Sequence, residues 1–384
     1  MWSADPVIAS QRHRFSIPDE VHYLNCAYMA PLSHEVSEAM VAATRLKEQP
    51  WNFRPADFFS VAEDFRSGAA GLAGVPLDRI AIVPSVSYGL AVAAKNLSIA
   101  KGQQIVTLAD QFPSNVYAWQ DLASRTGAEV IAVQRASQSC WSDAVLDVIG
   151  PDTAIVAVPN CHWADGRVVD LVAVGEKCRE HGAALVLDLT QSLGAMPLDF
   201  AKVQPDFAVA ACYKWLMGPY GIGVLYVAPE HHGGQPIEHN WINRGGSEDF
   251  SRLVEYRSDF QPGARRFDMG EKSNPPLLHG ARAGIDFLME SGVDRIAEAL
   301  AKRTSAIAEE AAKLGLPSAP IGSRAAHFLS LEFPQGIPDG LTERLAENNV
   351  HVSLRGASLR VTPHLYNTQA DQDALLATLA ECLG

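Results

Sequence analysis

The sequence predicts an α/β protein: a seven-stranded, mostly parallel, doubly wound sheet, followed by a smaller α+β unit. Three observations carry this. From about residue 80, short apolar runs alternate with segments of helical period, the pattern of a parallel sheet covered on both faces. Two of the runs, FAVAA and GIGVLYV, are separated by residues 212–221 alone. That is fewer than the dozen or so residues a parallel crossover needs, so the last strand is expected to run antiparallel. Finally, GEKSNPP punctuates the chain with Gly and Pro, and the pattern changes after it.

Taken in order, IAIVPS opens the sheet and a helix over 87–98 follows. QIVTLA leads to a helix over 114–126 and EVIAVQ to one over 142–149. TAIVAVPN leads to one over 168–181, with His181-Gly182 as its stop signal. ALVLDL, FAVAA and GIGVLYV complete the sheet, whose ligand crevice belongs at the carboxyl ends of the strands. Beyond GEKSNPP an amphipathic stretch over 277–314 reads as one long connecting helix. The strands AHFLSLEF, NVHVSL and SLRVTP follow, with helices near 340–348 and 369–382. The expected division is an N-terminal arm at 1–24, a large domain at 25–272, and the connecting helix with a small C-terminal domain at 273–384.

With 384 residues, 47% hydrophobic and 20% charged, the chain can bury a sizeable core. Its formal charge of −13, without a basic run, argues against nucleic acid or anionic membrane as partners. The 6 cysteines are scattered, with no C-x-x-C pair and no zinc-ligand spacing, as suits free thiols in a reducing compartment. The N-terminus MWSADPVIASQRHRF lacks the layout of a signal peptide, and no apolar run approaches the roughly 20 residues of a membrane span. The expected location is the cytoplasm.

Several residues could carry chemistry. Asp188 ends the run ALVL, where it can cap the next helix or reach into the crevice. Lys214 follows the next strand in the same way, as a solvated turn residue, a phosphate-binding charge or a catalytic amine. Gly218, Gly221 and Gly223 give G-x-x-G-x-G before a strand, which is the wrong order and context for a dinucleotide fingerprint. Ser85, Ser87 and Gly89 stand at the first strand–helix junction, which serves equally as an N-cap and as a phosphate site. Phe112, in ADQFPSNVYAW, is a core aromatic or a stacking platform. A phosphate cradle, an acid, a lysine and an aromatic are together the parts that a pyridoxal phosphate site requires.

The segments YLNCAYMAPLS, FPSNVYAW, DLTQSLGAMPLD, YKWLMGPYGIG, GEKSNPP and LRVTPHLYNTQADQDAL resemble, in order, the motifs of class V aminotransferase-fold (fold type I) enzymes. That family includes cysteine desulfurases, kynureninases and isopenicillin-N-epimerase-like proteins. The resemblance runs from about residue 22 to 380. It implies a PLP-dependent transferase-like fold and pyridoxal 5'-phosphate as cofactor. Lys214 then resembles the Schiff-base lysine and proton shuttle at the substrate Cα, and Asp188 the carboxylate facing the pyridinium nitrogen. Such a charge pair at about 4 Å is worth roughly 4 kcal/mol at an effective dielectric near 20. Gln191 corresponds to the partner of the phenolic oxygen and Phe112 to the stacking ring, where desulfurases carry His. Ser87 and Tyr213 match phosphate contacts, and Ser273 a phosphate contact offered by the neighbouring subunit, which implies a homodimer with shared sites. Arg360 matches the clamp on the substrate carboxylate. His162 and Trp163, in NCHWADG, are expected over the cofactor's phenolic edge, and Asn25 to Tyr28 along the substrate entrance.

Departures from the family pattern narrow the reaction. The stretch RGASLR, Arg355 to Arg360, has neither the length nor the cysteine of a desulfurase loop, and Tyr213 stands where desulfurases have His. Deprotonation at the Cα of an amino acid is the common first step of the remaining reactions. These are transamination, with epimerisation or racemisation and lyase chemistry (carbon–sulfur or kynureninase-type carbon–carbon) as alternatives. A homologue that has kept the fold and lost turnover is disfavoured by the joint presence of Lys214, Asp188 and Arg360.

Overall fold

The computed structural model describes residues 8–136 and 140–384; the first seven residues of the expected arm lie outside them. After strand β1 (His22–Tyr23) come two helices ahead of the sheet, α1 (His34–Leu46) and α2 (Asp57–Ala73). Neither is among the expected elements. In α2 the glycines 68 and 71 weaken helix propensity, and packing overrides it: a Cβ on Gly68 would stand 2.9 Å from Arg282 Cδ. The absence of a side chain there is what lets α2 lie close against a later helix.

The expected alternation then follows: β2 (Ile80–Val83), α3 (Val86–Asn96), β3 (Gln104–Leu108), α4 (Ser114–Thr126), β4 (Glu129–Val133), α5 (Trp141–Val148), β5 (Thr153–Pro159) and α6 (Leu171–His181). Helix α6 starts three residues later than the expected 168 because Asp170 accepts from the N–H groups of Val172 and Ala173 and so fixes the first turn. Strand β6 (Ala184–Asp188), the short α7 (Phe200–Val203), β7 (Phe207–Ala211) and β8 (Gly223–Val227) complete the unit.

The seven strands lie in the order β2-β8-β7-β6-β5-β3-β4. All run in one direction except β8, which pairs antiparallel with both β7 and β2. The short 212–221 connection thus reverses the chain as its length requires. Strands β2, β7 and β8 are buried along their whole length, as continuous apolar runs with both faces covered should be. Gly89 brings α3 onto this sheet so closely that a Cβ there would stand 2.7 Å from Val209 Cγ2.

The stretch 277–314 is not one helix. It divides into α8 (Pro275–Ser291) and α9 (Val293–Lys313), because Gly292 adopts φ +77° and ψ 120°, outside helical space. The amphipathic period continues across the break, so the pattern alone does not reveal it. Strand β9 (Leu329–Glu332), α10 (Leu341–Glu347), β10 (Val350–His351), β11 (Ser353–Arg355), β12 (Ser358–Val361) and α11 (Gln369–Leu383) follow. The expected strand NVHVSL is two strands: β10 pairs with β1, whereas β11 joins the antiparallel sheet β11-β12-β9. Leu24, Ile307, Leu331, Leu359 and Leu375, each fully buried, form the core beneath that sheet. At ~2 kcal/mol per buried aliphatic side chain, this cluster anchors β1 to the C-terminal elements. Among the described residues, no helix is long and apolar enough to cross a membrane.

Candidate active site

The carboxyl ends of β2, β5, β6 and β7 open onto a cavity of about 240 Å³. Ser87, Phe112, Trp163, Asp188, Gln191, Tyr213 and Lys214 all line it, although they come from five separate stretches of the sequence. The parallel topology explains the convergence, since each βα junction in such a sheet points the same way.

Asp188 is the last residue of β6 and is 8% exposed. One carboxylate oxygen accepts the Thr190 N–H at 3.0 Å, so Asp188 does cap the following turn while also lining the cavity. Burial raises its pKa, opposed by the Thr190 hydrogen bonds and the Lys214 charge. Thr190 in turn accepts the Ala211 N–H at 3.4 Å, tying the ends of β6 and β7 together. Lys214 lies three residues past β7 and is 7% exposed. Its ammonium group sits 5.6 Å from the Phe112 ring centroid and 5.4 Å from that of Tyr213. Burial brings the Lys214 pKa down to about 8; Asp188 resists the shift and Arg360 adds to it. A lysine held there presents far more neutral, nucleophilic amine near neutrality than an ordinary lysine does.

The amide of Gln191 is oriented from behind. Trp215 Nε1–H, a donor only, gives its hydrogen to Gln191 Oε1 at 2.9 Å. Gln191 Nε2 donates to the Ala27 carbonyl at 3.2 Å, which leaves a second N–H for the cavity. At the other end, the Ser85 hydroxyl accepts the Tyr88 N–H at 3.2 Å and so caps α3, while Ser87 Oγ lies 2.9 Å from Ser85 Oγ. The first-turn N–H groups of α3 have no intrahelical acceptor and face the region where an anion is favoured. Phe112, 37% exposed, meets Trp163 edge-on at 5.5 Å.

The remaining expected residues divide. Trp163 lines the cavity, held by its indole N–H on the Asp110 carbonyl at 2.6 Å. His162 does not line it: its ring packs on Trp141 at 5.1 Å and its Nδ1 lies 3.1 Å from Asp165. The contacts with Trp141 and Asp165 hold His162 away from the cavity, whereas the Asp110 carbonyl holds Trp163 at it. Ser273 is also outside the cavity and donates its hydroxyl hydrogen to the Phe58 carbonyl. Asn25 and Tyr28 line an adjoining cavity of about 510 Å³ instead, where Asn25 Oδ1 accepts from Ser353 Oγ at 2.9 Å. Arg360, in β12, is 2% exposed and donates to the Trp163 carbonyl at 2.8 Å; its Nε has no partner among the described residues. Burial, then the charge of Arg355, brings its pKa down to about 10.

Gln111, Ser114, Thr190 and Tyr220 line the cavity without having been expected there. Gln111 and Ser114 flank Phe112 in QFPS, so the motif that exposed the phenylalanine carried their signal as well. Gln111 is 7% exposed, and its Nε2 lacks a partner among the described residues. An unpaired buried donor, a helix N-terminus, a buried carboxylate and a lysine whose pKa is lowered to about 8 in one cavity fit pyridoxal phosphate.

The comparisons agree with this geometry. The family profile described as Aminotransferase class-V matches residues 34–374. A protein of Pyrococcus abyssi described as "Probable cysteine desulfurase" is 27% identical over 83% of this chain and 82% of its own. The isopenicillin N epimerase of Amycolatopsis lactamdurans is 25% identical over 97% of this chain and 98% of its own. The apo structure of a cysteine desulfurase from Thermococcus onnurineus NA1 superposes with a TM-score of 0.84 at 22% identity, covering 97% of this chain and 99% of that one. The chain therefore belongs to the class V aminotransferase family of pyridoxal-phosphate-dependent enzymes, with pyridoxal 5'-phosphate as its cofactor and an amino acid as its substrate class.

Proposed function

We propose that this enzyme moves a proton at the Cα of an amino acid and that Lys214 is the group that moves it, in an aminotransferase-type reaction. The observation that carries this reading is Lys214 itself, buried with a pKa of about 8 in one cavity with Asp188. When bound, the cofactor supplies an aldehyde for the lysine and a ring that accepts electrons from the bond broken at Cα. Asp188 holds a positive ring nitrogen, and Gln191 donates its free N–H to the phenolic oxygen. Ser87, with the first turn of α3 and Tyr213, receives the phosphate. Phe112 would stack on the cofactor ring, and Trp163 closes the side of the cavity nearest Arg360. Arg360 takes the substrate carboxylate, which fixes the direction of the Cα–H bond.

Residues 25–272 act as the cofactor-binding domain, 273–384 as the small domain, and 1–24 as the arm. Two copies assemble so that Ser273, which lies outside its own chain's cavity, serves the partner's phosphate, and the dimer works in the cytoplasm. The second reading is Cα epimerisation, favoured by the near-complete span of the epimerase relative. Persulfide chemistry is disfavoured by the β11–β12 hairpin, which turns within Gly356–Ala357 and carries no cysteine. Cys161, at the cavity wall, is 1% exposed and its thiol is pushed up by burial.

The test is reductive trapping followed by an exchange assay. Borohydride treatment of the yellow protein should fix the cofactor on Lys214. Lys214→Ala should abolish deuterium exchange at Cα across an amino-acid panel scored also for keto-acid formation, inversion and sulfide release. Undiminished exchange in Lys214→Ala overturns the assignment.

A further inference from the structure

Arg355 and Arg360 lie beside Trp163 on one face of the β11–β12 hairpin, Arg360 lining neither cavity, and neither is accompanied by a carboxylate at ion-pair distance among the described residues. Arg360 spends one Nη on the Trp163 carbonyl, and Arg355 spends one Nη on the Leu354 carbonyl at 2.7 Å. The Arg355 guanidinium lies 5.8 Å from the ring centroid of Trp163, which is a wall of the Lys214 cavity. Arg355 itself lines the adjoining cavity of about 510 Å³ together with Asn25, Tyr28 and His351. The segment 25–30 lies between the two cavities: it lines the adjoining one and is hydrogen-bonded to two wall residues of the Lys214 cavity, Gln191 and Tyr213. Ala27 accepts from Gln191 and Ala30 donates to the Tyr213 carbonyl on one side, while Asn25 and Tyr28 face the other. Both guanidinium charges also weigh on Lys214, against the single opposing carboxylate of Asp188.

Arg360 is buried and Arg355 half-buried, and two close cations without an anion repel each other, although in a chain of net charge −13 acids for pairing are plentiful elsewhere. A single α-carboxylate answers only one of them. Building on the reading of Arg360 as the α-carboxylate clamp, we infer that the substrate is an amino acid with a second negative group on its side chain. Arg355 receives that group at the mouth of the adjoining cavity. Asn25, already engaged with Ser353, and Tyr28 supply polar groups near Arg355 in a wall whose other members include Leu345, Val350 and Leu359, so the charge selectivity falls to Arg355. Arg355 is thus a specificity residue for the reaction already proposed, with no part in bond breaking.

The experiment uses the full-length protein loaded with pyridoxal phosphate and titrates absorbance against matched pairs. These are aspartate with asparagine, glutamate with glutamine and 2-aminoadipate with norleucine, each in both configurations. In at least one pair the acidic member should bind about tenfold tighter, the factor one net charge-assisted hydrogen bond supplies. Arg355→Gln should bring that ratio near one, and Arg355→Lys should restore part of it; a merely structural role would weaken both members together. A yellow protein in which no acidic member outbinds its partner, or in which Arg355→Gln preserves the ratio, overturns the second-anion inference alone. A protein that takes up no pyridoxal phosphate overturns the enzyme reading beneath it.

Discussion

The indole N–H of Trp215 points at Gln191 Oε1 from 2.9 Å, and the indole is itself fully buried. Because Trp can only donate, this contact fixes which end of the Gln191 amide faces the cavity. His327 supports the pair: its ring lies edge-on to Trp215 at 4.3 Å, and its Nε2 is 2.6 Å from the Gln191 carbonyl. Burial lowers the His327 pKa to about 4, so the ring is neutral under ordinary conditions and can donate from Nε2. Trp215→Phe leaves a buried acceptor unpaired, a loss of about 1–3 kcal/mol. The expected result is a lower melting temperature of the cofactor-free protein together with weaker pyridoxal phosphate binding. A variant whose cofactor affinity equals the wild type's removes Trp215 from this positioning role.

Lys214 sets a pH dependence whose sign is fixed. Its folded pKa, about 8, lies below the ordinary 10.5, so the amine is charged in the unfolded chain and neutral in the folded one between those values. Stability of the cofactor-free protein therefore rises with pH through that window and is lower by up to roughly 3 kcal/mol below it. Lys214→Met should stabilise the cofactor-free protein at pH 7 and flatten the rise. Capture of added pyridoxal phosphate by the wild type should accelerate through pH 8, as the free amine appears. Urea midpoints from pH 7 to 10.5 and the rate of colour formation check both.

The strand–helix alternation was legible because a parallel sheet buried on both faces writes itself as apolar runs, and β2 to β8 fall where those runs are. Lys214 and Asp188 were legible for the same reason: each follows such a run, and topology delivers both to one crevice. What the one-dimensional pattern lacked was anything set by packing or by backbone conformation. Helix α2 depends on the close approach that Gly68 permits. The break at Gly292 is a single φ value inside an unbroken amphipathic period. His162 and Trp163 are neighbours whose directions are decided by Trp141 on one side and Asp110 on the other.

Asp188 supports the positive charge on Lys214 as well as the proposed ring contact, so its removal has two separable effects. Asp188→Asn keeps the shape and deletes the charge that resists burial of the ammonium, which moves the Lys214 midpoint below its present value of about 8. Losing an ion pair of roughly 4 kcal/mol at the ring nitrogen should also slow Cα–H exchange by about a thousandfold. The midpoint is read from the pH dependence of colour formation and the exchange by mass spectrometry. An unmoved midpoint argues against electrostatic coupling of the two residues, whatever the exchange rate does.

A third cluster holds the site together without touching it. Arg66, Asp268 and Lys272 are at most 2% exposed, and the Asp268 carboxylate receives Arg66 at 2.7 and 3.0 Å and Lys272 at 2.8 Å. It also accepts the Ile82 N–H at 2.8 Å, while Met269 N–H returns to the Ile82 carbonyl at 2.9 Å. The knot therefore binds β2, whose far end leads to Ser85 and Ser87, to the segment that carries Ser273. Burial alone would raise the Asp268 pKa; the charges of Arg66 and Lys272 overcome it and hold the group below the ordinary carboxylate range. The stability this confers is present above the unfolded value near pH 4 and is lost as pH falls through the lower folded value. Asp268→Asn leaves two buried cations facing a neutral amide, a cost of about 3–5 kcal/mol. Urea unfolding at pH 7 should show that loss, and the gap between variant and wild type should narrow as the pH is lowered below 4. Equal stability at pH 7 would show that the knot contributes nothing net, with its desolvation cost balancing its charge pairing.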